Sequence, residues 1–408
     1  MSLNKLGVIR EGKVPPDFRV PLTPKQCKAI ETLYSNVKVQ VQRSPIRTFK
    51  DSEYEEQGIE LVDSLNECDI IFGVKEVQIA DLIPNKTFVF FSHTIKKQPY
   101  NQKLLRAILD NKIRLIDYEV IKDKHNKRII GFGRYAGIVG CYNSFLTYGL
   151  KTESFVLKPA HLCQDRKEVE SELQKVKLPT DFRCVLTGFG RVGHGAREIL
   201  ELLPIKEVTP EEYLSKQFNE PVYTQLEVED YYGRLDGSEF VKKEFYSNPE
   251  LFKSTFDRYA PLSDMYIPCH FWSSKSPIIL PNEVLKTDSC RLKVIADVSC
   301  DVDGPIASTI RASKIGDSIY GYDPKTQTEV DFLNEGAIAV MAVDNLPCEL
   351  PKDASEDFGN ELLKNVLPAL FGEDPDRIIE RASETNLNGE LMADFKYLED
   401  YANGLVKA

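Results

Sequence analysis

The sequence contains no run of about 18 apolar residues, and its N-terminus lacks the basic, apolar and cleavage-site succession of a secretory signal. These absences argue against a membrane-spanning helix and an export signal, and the chain reads as a soluble, cytoplasmic protein. An excess of basic residues is also missing: 52 lysines and arginines face 63 acidic residues, a formal net charge of -11. That balance argues against a broad nucleic-acid surface, although a local basic pocket fits within it. Nine cysteines are scattered without a CxxC pair or a Cys/His ligand spacing. Neither a metal site nor a disulfide framework is expected, and most of the cysteines read as buried thiols. Internal repeats and low-complexity segments are absent. What is present, 408 residues with 42% hydrophobic and 28% charged side chains, suits two or three globular domains with substantial cores.

The strongest local pattern is FRCVLTGFGRVGHGAREILELL at residues 182–203. An apolar run from Val185 to Thr187 leads into Gly188, Gly190 and Gly193 in the spacing G-x-G-x-x-G. Val192, Ala196, Ile199, Leu200 and Leu203 then recur at helical spacing. This predicts a strand, a tight turn and a helix. In a dinucleotide-binding unit the first glycine makes the turn, the second admits the pyrophosphate to the backbone, and the third lets helix pack on strand. The free N–H groups and partial positive charge of the helix start face the phosphates. Ile205 to Val208 is expected to be the next strand, whose end normally places an acidic residue on the ribose about 20 residues beyond the first glycine. Glu207 and Thr209 are the candidates: Glu207 at the ribose favours NAD, whereas Thr209 there tolerates a 2′-phosphate and hence NADP. From about 209 to 260 a polar, aromatic-rich segment reads as an insertion, too long for an ordinary connection, that covers a cleft or forms a partner surface.

Before this unit, short apolar strands at Leu6–Ile9, Val37–Val41, Ile70–Val74, Phe88–Ser92 and Leu115–Tyr118 alternate with helix-length segments. The first helix is announced by Thr23-Pro24-Lys25-Gln26, an N-cap, a proline at the first turn and a capping-box partner. Such alternation predicts an α/β fold with parallel sheets flanked by helices. Strand ends in these sheets hold ligands, and here they are rich in ionisable groups. Lys75 and Glu76 follow one strand, His93 and Lys96 another, and Asp117 and Glu119 a third. Arg19 in the first loop and Arg128 add guanidinium forks suited to carboxylates. His125 reads as a turn residue, while His194 directly follows the glycine turn. Residues 131–150, GFGRYAGIVGCYNSFLTYGL, read as a small-residue helix packed between domains. VIADVSCD ends at Asp297 and Asp301, and IAVMAVDNLP leads to Asp344 and Asn345. A helix outlined by Phe358, Leu362 and Val366 is expected to return to the first domain. The domains are thus expected at 1–140 plus 346–408, and at 141–345.

GVIREGKVPPDFRVPLTPKQ at the start is similar to the opening of the alanine dehydrogenase and saccharopine dehydrogenase superfamily. GVKE at 73–76, FFSHTIK at 90–96, RLIDYE at 114–119, GFGRYAGIVG at 131–140, ADVSCDVDG at 296–304 and VDNLP at 343–347 narrow the likeness. Together they resemble the lysine-forming saccharopine dehydrogenases, especially the lysine-ketoglutarate reductase portion of bifunctional enzymes, over nearly the whole chain up to about residue 371. The resemblance implies two Rossmann-like domains with the active site in a cleft between them. It also implies reversible NAD- or NADP-dependent condensation of L-lysine with 2-oxoglutarate to saccharopine, without metal. Oligomeric state is left open.

Carried over by motif, Lys75 would deprotonate the secondary amine, and His93 would serve imine hydrolysis and protonation of the departing lysine. Glu76 and Glu119 would tune these groups and receive the substrate ammonium. Arg19, Lys96 and Arg128 would meet carboxylates. Gly188, Gly190, Arg191 and Gly193 would line the pyrophosphate, with Asp301 and Asn345 near the nicotinamide. Arg134, where relatives tend to carry an uncharged side chain, adds a substrate contact or faces solvent. Two other readings compete: an alanine-dehydrogenase-like enzyme using pyruvate and ammonia, and a non-catalytic NAD(P)-sensing protein.

Overall fold

In the computed structural model, which describes residues 4–405, the first sheet comprises β1 (Asn4–Val8), β2 (Val37–Gln42), β3 (Glu60–Val62), β4 (Ile70–Phe72), β5 (Thr87–Phe90) and β6 (Arg114–Asp117). Their spatial order is β3-β2-β1-β4-β5-β6 and every pairing is parallel. Parallel strands are covered on both faces by their crossovers, which explains why Ile71, Phe72, Phe88 and Phe90 are all completely buried. The helix Pro24–Leu33 begins at the expected capping box: Thr23 accepts from the Gln26 N–H, and the Gln26 side chain accepts from the Thr23 N–H at 2.9 Å. Strand order reverses between β1 and β4, so the crevice for a ligand opens beyond the C-terminal ends of those two strands.

The end of the chain joins this sheet. Helix Pro351–Asn365 buries Phe358 and Leu362 in its core, and residues 382–384 run beside β6. There the Asp117 N–H donates to the Ala382 carbonyl at 3.1 Å and the Glu384 N–H to the Leu115 carbonyl at 2.8 Å. One compact unit therefore contains the residues up to Phe132 and those from Pro351 onward; Gly133–Leu350 forms the other.

The second unit contains β7 (Arg183–Thr187), β8 (Lys206–Glu207), β9 (Val222–Leu226), a small β10 (Tyr232–Arg234) and β11 (Phe252–Ser254) ribbon, β12 (Met265–Pro268), β13 (Val294–Ala296), β14 (Ile319–Asp323), β15 (Thr328–Val330) and β16 (Ile338–Met341). Its main sheet runs β15-β14-β16-β13-β12-β7-β9-β8. Pairings from β16 across to β8 are parallel, while β14 and β15 add an antiparallel edge. Chain order reverses between β7 and β12, which defines a second switch point.

Helix Gly133–Thr152 crosses helix Arg191–Leu200 so closely that a Cβ on Gly137 would lie 1.9 Å from the Val192 carbonyl oxygen. Its small residues therefore serve packing inside the second unit, where the sequence suggested packing between domains. Asn143 of the same helix donates to Glu349 at 2.8 Å. These contacts place the divisions at 132/133 and 350/351 rather than at 140/141 and 345/346.

The segment expected as one insertion also resolves differently. β9 lies inside it and pairs directly with β7, leaving β8 as the sheet edge. The strand was masked because Thr224 and Gln225 break its apolar run, yet both are buried. Gln225 is used there: its amide donates to the Gly188 carbonyl at 2.8 Å, supporting the glycine turn from the neighbouring strand.

Candidate functional site

At the first switch point, loops from four strand ends converge. Glu11, after β1, accepts from the Val74 N–H at 2.6 Å and from the Lys75 N–H at 3.0 Å, joining the β1 and β4 loops. Burial, partly opposed by the Val74 N–H, pushes its carboxyl up to about 7. A folded-state value above the ordinary 4.5 means that Glu11 contributes stability present below pH 4.5 and lost as the pH rises through about 7. In urea unfolding across that window, the stability of wild type relative to Glu11→Gln should therefore decline with rising pH. A pH-independent difference would contradict the assignment.

Burial, then the nearby Arg19 and Lys13 cations, lower the Lys75 pKa from its ordinary 10.5, while Asp17 and Glu76 pull the other way. Lys75 is thus an ammonium that surrenders its proton more readily than a surface lysine. Beyond β5, His93 occupies the left-handed region at φ 54° and stacks on Phe91 with rings 6.4 Å apart. Its Nδ1 hydrogen-bonds Glu76 Oε1 at 2.5 Å. Burial alone would raise the Glu76 carboxyl, but the hydrogen bond from His93, with help from its own backbone N–H and Lys13, holds it at about 2. An ionised Glu76 makes Nδ1 the donor and leaves Nε2 for proton exchange.

Past β6, Glu119 Oε1 lies 3.1 Å from Lys96 Nζ and 3.9 Å from Arg128 Nη1. The other oxygen, Oε2, is buried without a hydrogen-bond partner. Arg128 also sits over the Phe91 ring at 5.3 Å. Lys75, Glu76, His93, Lys96, Glu119 and Arg128 thus all belong to the strand-end loops of one sheet.

Arg19 does not supply an open fork. It is buried, stacks on Phe132 at 4.2 Å, and makes a bidentate pair with Asp17 at 3.0 and 2.6 Å. Its place is beside Lys75 as a fixed positive charge. Asp117 likewise leaves the strand-end group facing the crevice, because it is fully buried beneath it. One oxygen accepts from the Ser92 N–H at 2.9 Å and from the Ser92 hydroxyl at 2.5 Å; the other accepts from the Glu119 N–H at 2.6 Å. Glu384 accepts from Thr94 Oγ1 at 2.5 Å in the same cluster, and burial raises both carboxyls. Asp117 therefore anchors the backbone beside His93 and Glu119. Asp117→Ala should destabilise the fold by about 2–4 kcal/mol, because it strands several buried donors; a urea-unfolding change under about 0.5 kcal/mol would contradict this anchoring role.

In the second unit, Gly188 at the end of β7 has φ +95°, and a Cβ on it would lie 2.6 Å from the Cys269 carbonyl oxygen. Gly190 is the N-cap of helix Arg191–Leu200. Gly188, Gly190 and Arg191 line a cleft of about 810 Å³ together with Glu227, His270 and Trp272, a volume suited to a cofactor. Gly193 stands behind its wall, where a Cβ would meet the Gly188 carbonyl oxygen at 2.0 Å. His270 Nδ1 contacts Thr187 Oγ1 at 2.8 Å, and burial drives the imidazole down to about 3, so the ring is neutral at ordinary pH.

The two ribose candidates lie at the end of β8 and just beyond it. Glu207 ends the edge strand β8 and pairs with Arg197, 2.7 Å from its Nη1, while Thr209 caps helix Pro210–Ser215 through the Glu212 N–H. Neither lines the cleft. Glu227 does: it directly follows β9, whose Leu226 is in register with Thr187 of the fingerprint strand. A glycine turn with no room for a side chain, an open helix start and a carboxylate at the end of the adjoining strand fit a dinucleotide. Asp301 follows β13 and Asn345 follows β16 on the same strand-end edge, but outside this cleft's lining. Arg134 holds Glu198 at 2.6 and 2.8 Å. His194 lies on the glycine-turn helix and is likewise outside the cleft lining.

Among the described residues, no cluster of three or more His, Cys, Asp or Glu is placed to hold a metal ion, and no helix is long and apolar enough to cross a membrane.

Comparison with known proteins agrees with this architecture. Residues 7–139 match the family described as alanine dehydrogenase/PNT, N-terminal domain. An alpha-aminoadipic semialdehyde synthase of Arabidopsis thaliana is 29% identical over 400 residues, covering 88% of this chain; the chain spans only 37% of that longer protein. A saccharopine dehydrogenase [NAD(+), L-lysine-forming] of Neurospora crassa is 28% identical over 368 residues, 86% of this chain and 87% of that one. The solved structure of an L-alanine dehydrogenase superposes with a TM-score of 0.63 at 16% identity, covering 98% of this chain and 100% of the other, a likeness of fold. The chain is thus similar in sequence to alpha-aminoadipic semialdehyde synthases and lysine-forming saccharopine dehydrogenases, and similar in fold to an alanine dehydrogenase.

Proposed function

We propose that the protein is an NAD(P)-dependent saccharopine dehydrogenase of the lysine-forming type, which reversibly condenses L-lysine with 2-oxoglutarate to saccharopine. The observation that carries this reading is Lys75, a lysine of lowered basicity beside the Glu76–His93 pair at the switch point of the first sheet. A bound nicotinamide would accept or return the hydride. The remaining steps are proton transfers and charge recognition by the chain's own residues.

In the oxidative direction, neutral Lys75 takes the proton from the secondary amine of saccharopine, so that its lone pair drives hydride departure from the adjacent carbon. Water then adds to the resulting imine carbon, with His93 Nε2 removing a proton from that water. His93, held through Nδ1 by Glu76, then returns that proton to the leaving amine as the C–N bond breaks. Saccharopine, water and the oxidised cofactor thereby yield lysine, 2-oxoglutarate, the reduced cofactor and a proton. The three carboxylates of saccharopine suit Lys96 and Arg128, while the unpartnered Glu119 Oε2 suits the primary ammonium. Arg19 keeps Asp17 and acts on Lys75 through its charge. In the second unit, Gly188, Gly190 and Arg191 would hold the pyrophosphate, Gly193 would let the helix pack closely behind the turn, and Glu227 would hold the adenosine ribose; Asp301 and Asn345 are assigned to the nicotinamide end.

Following NADH and NADPH oxidation at 340 nm tests the reading. Oxidation should require both L-lysine and 2-oxoglutarate. Equal rates with pyruvate and ammonia would overturn the substrate assignment. His93→Gln should lower this turnover about a hundredfold or more and change the pH profile of the acid/base steps; an unchanged profile would remove His93 from them.

A further inference from the structure

The chain between β9 and β12 holds an unusual arrangement on the cleft wall. Glu227, at the end of β9, pairs with Lys242 Nζ at 3.0 Å. Lys242 is the first residue of helix Lys242–Ser247, and both side chains line the same cleft as the glycine turn. Tyr231, Phe245, Tyr246, Phe271 and Trp272 line it too. Phe271 is 87% exposed and Tyr246 62% exposed, so large ring faces are left open beside an acid–base pair. Aromatic faces suit a nucleobase, which stacks on them whatever its identity.

We propose that this segment builds the adenosine half of the cofactor site, and that the Glu227–Lys242 pair admits both an unmodified ribose and a ribose 2′-phosphate. The inference rests on the dinucleotide reading of the second unit. A lone carboxylate at the end of the adjoining strand accepts from the ribose hydroxyls and repels a 2′-phosphate. Here the carboxylate already carries an ammonium group. Side-chain exposures of 50% and 40% make this an ion pair that is easily rearranged. With a free 2′-hydroxyl, Lys242 stays on Glu227, which accepts from the ribose. When a 2′-phosphate arrives, Lys242 bridges to it, offsetting the repulsion and donating charge-assisted hydrogen bonds. Cofactor choice therefore resides in the segment after β9, not in Glu207 or Thr209.

Binding of NADH and NADPH to the full chain, followed by nicotinamide fluorescence and by calorimetry with ADP-ribose and its 2′-phosphate, tests this directly. Wild type should bind the two reduced cofactors within about tenfold of each other. Lys242→Ala should weaken NADPH about tenfold or more and change NADH less than about threefold, while Lys242→Arg should restore NADPH. Glu227→Gln should weaken NADH and spare NADPH. Preference of wild type for NADH by more than about tenfold, or equal effects of Lys242→Ala on both cofactors, would overturn the pair's role. Failure of wild type to bind any of these ligands would overturn the dinucleotide reading itself, and the proposal with it.

Discussion

Lys75→Met is expected to lower saccharopine oxidation about a hundred- to ten-thousandfold, the range for removal of a positioned general base, while NADH affinity changes less than about twofold. The asymmetry follows from placement: Lys75 stands in the first unit, whereas the glycine turn and its cleft belong to the second. The pH profile adds a sharper signature. In the proposed mechanism oxidation uses the neutral amine of Lys75, so the wild-type rate should rise with pH through a Lys75 pKa that burial and the Arg19 and Lys13 cations hold below 10.5. Methionine has no proton to lose, and the variant should lack that limb. Near-normal turnover, or the same limb persisting in the variant, would take Lys75 out of the mechanism.

Gly188→Ala should weaken NADH and NADPH together by about tenfold or more, because the added methyl has no space. At φ +95° a Cβ would sit 2.6 Å from the Cys269 carbonyl oxygen and 2.9 Å from the His270 Cα, at the neighbouring strand end. Either the turn opens or β12's exit shifts, and both deform the cleft. Calorimetric titration of each cofactor, with circular dichroism to confirm folding, checks this. Wild-type affinity in the alanine variant would show that the turn does not approach the dinucleotide.

The placement of ionisable groups was legible wherever they followed an apolar strand at once. Lys75 and Glu76 after β4, His93 and Lys96 after β5, and Glu119 after β6 are each found by locating the strand and reading the next few residues. Glu11 obeys the same rule after β1, in the loop that also carries Arg19. Arg19 was legible as a guanidinium in the first loop, but its pairing with Asp17, two residues away, was not. Glu384 gave no local signal at all; only the fold brings the C-terminal segment to Ser92 and Asp117.

That Glu207 and Thr209 lie outside the cleft lining has a different reason. The usual spacing of about 20 residues assumes that the next strand in sequence is the neighbour in space. Here β8 intervenes and goes to the sheet edge, so the neighbour is β9 and its acid is Glu227, nearly twice as far along. Periodicity could not reveal this, since Thr224 and Gln225 are buried neutral polar residues in a strand whose exposed-looking sequence hides its central place. Gln225 is polar because it supports the turn at Gly188.

The most direct test of the central claim, that this chain joins lysine to 2-oxoglutarate by reduction of their imine, follows deuterium from NADH doubly deuterated at C4 of the nicotinamide. Mass spectrometry of the products should find saccharopine carrying one deuterium, formed only when L-lysine and 2-oxoglutarate are both present and lost in Lys75→Met. Deuterium appearing instead in alanine made from pyruvate and ammonia, or in no amino acid product, would contradict the account.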